Sequence, residues 1–153
     1  MLPFYEASNI EMSWSDIAFD DGGLGEDVFL EVTQAGEMKI VTWGIDGMGV
    51  SKSSIAGGTI TLTLMQTSPI NKQLADIANL EMQKGSPIIV APFIVKDKTS
   101  DCASFVALNA TLTKRTDHSY SSRMGTQTWI WTCEYFIPTS DKDFTTADLI
   151  NFI

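Results

Sequence analysis

The sequence predicts a mainly β fold, a β-sandwich or half-barrel with one principal α-helix, and three observations carry that expectation. In the run GTITLTLM, Ile60, Leu62 and Leu64 fall on one side of a period-two ribbon and Thr59, Thr61 and Thr63 on the other, which is the pattern of a strand with one buried and one wet face. Two longer runs repeat it. Residues 102–115 set Val106, Leu108, Ala110 and Leu112 against Asn109, Thr111, Thr113 and Arg115, and residues 126–137 set Trp129, Trp131, Cys133 and Tyr135 against Thr126, Thr128, Thr132 and Glu134. One stretch alone has a strong helical period: Ile70, Leu74, Ile77 and Ala78 form an apolar stripe, opened by Ser68 and Pro69 and closed by Gly85 and Pro87. Ser68 is expected to offer its hydroxyl to the free amides of the first turn.

Taken in order, residues 5–19 read as an initial strand region patterned through Ile10, Met12 and Trp14. Residues 20–27 (DDGGLGED) form an acidic, glycine-rich turn; its oxygens suit a hard cation, but an EF-hand spacing is absent and a solvated loop is the simpler reading. Residues 28–33 and 37–43 read as strands joined by Gln34-Ala35-Gly36 as a hairpin. Residues 45–56 read as a long loop carrying Gly47 and Gly49. Because it opens a strand rather than a helix, it has no amides aimed at a phosphate, and partner contact is the better reason for its length. After the helix, residues 86–96 read as a strand whose Pro92 marks an edge or a bulge. Residues 117–125 form a polar connection, and 140–153 a tail bearing Phe144, Leu149, Ile150, Phe152 and Ile153.

Composition narrows the function. At 153 residues the chain is about one domain by length, spanning 1–153. A net charge of −9 argues against gripping nucleic acid, which rests on Lys and Arg displacing counterions from phosphates. No run is apolar enough to span a bilayer, and the first ten residues lack a signal peptide's basic start, so the expected place of synthesis is the cytoplasm. Cys102 and Cys133 lack metal-ligand spacing and read as buried free thiols. His118 is the single histidine and sits in a soft loop, with no nucleophile elbow elsewhere, so no enzyme activity, cofactor or metal is expected. Trp129 and Trp131 admit a sugar-stacking reading, although aromatics alternating on an apolar face belong more naturally to a core.

The run GIDGMGVSKSSIAGGTITLTLMQTSPINKQLADI, residues 44–77, resembles the core motif of the tail tube proteins of contractile-tailed bacteriophages: a glycine-rich loop, then an apolar-alternating strand running directly into Thr-Ser-Pro-x-Asn. The resemblance implies a subunit of sixfold rings whose inner sheets join into one closed barrel, the rings stacking into a conduit for DNA ejection. It implies partners in other copies of the chain and in sheath, baseplate and tail-terminator proteins, with DNA passing unbound, and a place in the virion tail after assembly in the host cytoplasm. On that reading residues 44–57, with Asp46, Gly47, Met48, Gly49 and Lys52, reach between rings, and residues 140–153 dock on a neighbour. Glu37, Lys39, Thr59, Thr61, Thr63, Asn109, Thr111, Thr113, Thr128, Thr132 and Glu134 then face the lumen. The rival expectations are a ring protein like that of type VI secretion, with the same architecture, and a ligand- or carbohydrate-binding β-domain.

Overall fold

The computed structural model describes residues 10–15, 17–19, 29–53, 55–97 and 104–139; the acidic turn 20–27, Cys102 and the tail 140–153 lie outside them. The elements are β1 (Ile10–Trp14), β2 (Ile17–Ala18), β3 (Leu30–Gln34), β4 (Lys39–Gly44), β5 (Gly47–Lys52), β6 (Gly58–Met65), α1 (Ile70–Met82), β7 (Ala91–Asp97), β8 (Ser104–Lys114), β9 (Thr126–Cys133) and β10 (Tyr135–Thr139). The fold is thus mainly β with one helix, as the alternation predicts.

The main path of strands is β2-β1-β7-β8-β9-β6-β3, antiparallel throughout, with β10 also pairing β8. Its two halves meet on β8. Up to Leu108 this strand pairs β10 on one side and, from Phe105 past a bulge to Ala110, β7 on the other; from Thr111 it pairs β9, through Thr111↔Thr132 and Leu112↔Trp131. The turn between the halves is made at Asn109, whose φ of 55° puts it in the left-handed region that Asn tolerates better than most residues. Asn109 Nδ2 donates to Glu134 Oε2 at 2.6 Å, and the Glu134 amide donates to the Leu108 carbonyl at 3.1 Å. The expected single strand over 126–137 therefore breaks at Glu134 into β9 and β10. Past that break the burial passes to Ile137, while Tyr135 is half-buried.

The resulting sandwich has an A layer (β2, β1, β7, the first half of β8, β10) and a B layer (the second half of β8, β9, β6, β3). Aromatic rings interlock between them: Trp14 of β1 meets Trp131 of β9 edge to face at 5.6 Å, and Phe93 of β7 meets Trp131 at 5.1 Å. Trp129 and Trp131 are 2% and 0% exposed, so the sugar-stacking reading is overturned: both rings are core. Cys133 is a buried free thiol, as expected. Among the described residues the sheet closes no barrel, because β2 and β3 end the path.

Several local expectations are corrected. Strand β3 pairs β6, from Leu30↔Leu62 to Gln34↔Gly58, and not the strand that follows it. The loop expected over 45–56 is half strand: β4 and β5 form their own hairpin from Lys39↔Lys52 to Gly44↔Gly47, around the two-residue turn Ile45-Asp46. The strand after the helix begins at Ala91, and Pro92 falls where the β7–β8 register shifts, a bulge that tolerates a missing amide. Ser68 does not cap α1. The cap position is Pro69, without a side-chain hydrogen bond, and the Ser68 hydroxyl is buried with no partner. The helix ends at Met82, and Gly85 follows at φ +85°.

Candidate functional site

The stretch 57–71 is held by close contacts at both of its ends. A Cβ on Gly58 would stand 2.7 Å from the Thr33 carbonyl oxygen, and one on Gly57 would meet the Cys133 and Glu134 carbonyls, so only bare backbone lets β6 enter between its neighbours. At the far end Asn71 reaches back from the first turn of α1. Its Nδ2 donates to the Met65 carbonyl at 2.9 Å, and its Oδ1 accepts from Trp129 Nε1 at 2.9 Å. One side chain thus ties helix, strand end and core, a role for the Asn of Thr-Ser-Pro-x-Asn that capping rules alone do not suggest.

Two surfaces offer themselves for assembly. The first is the wet face of the B layer. Ladder rows read across it as Thr111, Thr132, Thr59 and Thr33; then Lys114, Ile130, Thr61 and Glu31; then Thr128 and Thr63. Thr113, at the β8–β9 register shift, shares a 3.2 Å hydrogen bond with Thr132 and another with the Ile130 carbonyl. Of the expected lumen residues, Thr59, Thr61, Thr63, Thr111, Thr113, Thr128 and Thr132 therefore share one face. Asn109 and Glu134 stand at the corner, bonded to each other, and Glu37 and Lys39 lie off the sheet at the foot of the hairpin. Thr33 and Glu31 belong to the same face and were legible as the polar alternates of β3.

The second surface is the hairpin β4–β5. Every residue of it is exposed, and among the described residues neither strand pairs with any other element. Alternation places Val41, Trp43, Met48 and Val50 together on one side, with Lys39 and Lys52 at its base. Trp43 is 77% exposed, and Ile45 at the tip is bare. Of the residues expected to reach between rings, Asp46 is in the turn and Gly47, Met48, Gly49 and Lys52 are in β5. Single surface apolar residues are ordinary, but a contiguous apolar face on a hairpin that none of the other described residues covers is of the kind that takes part in interactions. Among the described residues, no three His, Cys, Asp or Glu side chains converge in a way that would hold a metal ion.

The sequence profile of the bacteriophage PhiTE tail tube protein matches residues 16–136, which takes in every strand from β2 to β9 and the start of β10. The chain belongs to this tail tube family. No curated protein sequence matches it. Solved structures do share the tail tube fold. One is a sheath/tube terminator of an extracellular contractile injection system, PVC, in the extended state, with TM-score 0.62 and 14% identity over 88% of this chain and 96% of that one. Another is the tube-terminating cap of the anti-feeding prophage, with TM-score 0.59 and 9% identity over 92% and 94%. A third, from the PVC sheath–tube complex in the extended state, gives TM-score 0.58 and 14% identity over 88% and 90%. At such identities the likeness is one of fold. As a member of the tail tube family the chain is a structural protein, and its exposed surfaces are the place to look for function.

Proposed function

We propose that this chain is the repeating subunit of a tail tube, forming sixfold rings that stack into a conduit through which DNA leaves on ejection. The observation that carries the reading is the apolar face of the hairpin β4–β5, which no other described residue covers. Burying a side chain such as Val41, Trp43, Met48 or Val50 contributes about 1.5–3 kcal/mol each, enough for a small arm to hold a neighbour. The four-stranded B layer supports the ring. It ends on one side at β3, which has no further strand partner among the described residues, and edges of this kind are removed when copies join head to tail and the rotation closes. Its threonine-rich wet face then lines the lumen.

Such a wall does not grip DNA. Hydroxyls with Glu31 and Lys114 in balance supply little net positive charge, so few counterions are released and the duplex stays hydrated. Sheath, baseplate and terminator proteins meet the outside and ends of the tube, and the tail 140–153 docks on an adjacent subunit. Negative-stain microscopy of the purified protein tests the reading: rings or tubes are expected, and deletion of residues 46–53 leaves a folded subunit without tubes. Small monodisperse particles from the intact protein, at every concentration tried, would overturn it.

A further inference from the structure

We infer that the tip of the β4–β5 hairpin of one copy seats in the groove at the start of α1 of the next copy, with Asp46 facing Lys72 and Arg115. This rests on the stacking proposed above and names the surface that receives the arm.

The two features lie at opposite ends of the B layer. The hairpin returns to the chain at Gly58, where β6 begins beside Gln34 and Cys133; the groove opens beyond Met65, where β6 ends and β9 begins at Thr126. An eight-residue strand separates them by about 24 Å at the usual rise. A contact between unlike ends of one subunit is heterologous, and repeated by translation it continues from ring to ring without limit, as a tube needs.

The charges at the two ends are opposite. The groove has a volume of about 830 Å³, and its charged lining is Lys72, Lys114, Arg115 and Asp117, with His118 beside them. That is an island of positive charge on a chain of net −9. The helix above it lacks what a helix start usually has: no acidic residue stands in its first turn, no side chain caps it, and the Ser68 hydroxyl at its threshold, on a residue only 6% exposed, has no hydrogen-bond partner. A carboxylate arriving from outside would complement the helix dipole and the cations together, and a turn of Ser68 about its χ1 would give that hydroxyl an acceptor. The hairpin supplies one: Asp46 is the only charged residue between Lys39 and Lys52, and it stands in the tip beside the bare Ile45. The apolar side of the arm holds the neighbour, while the tip charge sets where the arm goes.

The test is a charge swap read by tube sedimentation and negative stain, with circular dichroism to check that each variant is folded. Asp46→Lys, and separately Lys72→Glu with Arg115→Glu, are each expected to cut pelleted tube at least tenfold, and the three changes together to restore it. Wild-type tubes are expected to shed subunits faster in high salt. Trp43→Ser separates this inference from the reading beneath it. If Trp43→Ser abolishes tubes while Asp46→Lys leaves them at wild-type yield, or if the swap does not restore assembly of folded protein, the groove is not the receiver. If Trp43→Ser and Asp46→Lys both leave tubes unchanged, the hairpin is not the contact, and both fall.

Discussion

Replacing Asn71 by Ala removes one buried and one half-buried hydrogen bond at once, which makes it the sharpest probe of what holds the helix to the B layer. The Trp129 indole N–H, on a side chain 2% exposed, loses its acceptor, and the Met65 carbonyl at the end of β6 loses its donor. A buried polar group left without a partner costs about 1–3 kcal/mol, so two such losses, partly relieved by water reaching Met65, place the effect at about 2–4 kcal/mol. For a chain of this size each kcal/mol lowers the melting temperature by about 2–4 °C. Urea unfolding followed by tryptophan fluorescence measures it, and a double-mutant cycle isolates the bond itself. In a Trp129→Phe background there is no indole N–H to orphan, so Asn71→Ala is expected to cost about 1–2 kcal/mol less there. A cost below about 0.5 kcal/mol, or the same cost in both backgrounds, would refute the reasoning.

Other outcomes follow from the same contacts. Gly58→Ala sets a methyl carbon 2.7 Å from the Thr33 carbonyl and is expected to destabilise by more than about 3 kcal/mol, seen as loss of soluble folded protein; a near-normal melting temperature would show that β3 can yield. Trp43→Ser, on an exposed residue, is expected to leave subunit melting within about 0.5 kcal/mol of wild type while tubes disappear under the microscope. Burial pushes the Cys133 thiol above its ordinary value, so the native protein keeps it protonated where the unfolded chain would ionise it. Stability is then fully present below the ordinary thiol value and declines as pH rises above it, and peptide mapping after alkylation at pH 8 is expected to find Cys133 unmodified until the protein unfolds. Thr61, Thr111 and Thr128 all changed to Lys add three charges per subunit to the proposed wall, and phage carrying them are expected to eject DNA slowly at low salt and faster at high salt, from tails of normal appearance.

The parts of the fold legible in the sequence are those whose pattern is local. The alternation of Ile60, Leu62 and Leu64, the stripe from Ile70 to Ala78, and the polar side of β9 each report a buried face directly, and each stands where it was expected. The errors fall where a partner distant in sequence decides. Residues 47–52 looked like loop because Gly47, Gly49 and Ser51 are poor strand formers, and their strand has no core side to betray it. The β3 pairing went to β6 because Gly57 and Gly58 allow an approach no alternation shows. The break at Glu134 was hidden because apolar residues continue on both sides of it, and only the opposite bend at Asn109 requires it. For the proposed assembly surface, the glycine-rich run from residue 45 was legible as a partner contact, but its joining with Val41 and Trp43 into one apolar side depends on the register Val41↔Val50 and Trp43↔Met48.

Because β8 is shared, neither layer of the sandwich is a separate unit of stability. Releasing β9 from its second half would uncover Trp131, whose ring is packed against Trp14 and Phe93 of the opposite layer, and releasing β7 from its first half would uncover the same ring from the other side. Opening therefore has no cheap partial form, and the subunit is expected to melt in one cooperative step, with coincident transitions by fluorescence and by backbone circular dichroism. For the repeating tube proposed above the consequence is one of quality control. On that reading a subunit is expected to meet the growing end either wholly shaped or wholly unfolded, so that a half-formed copy with one good layer is not built in.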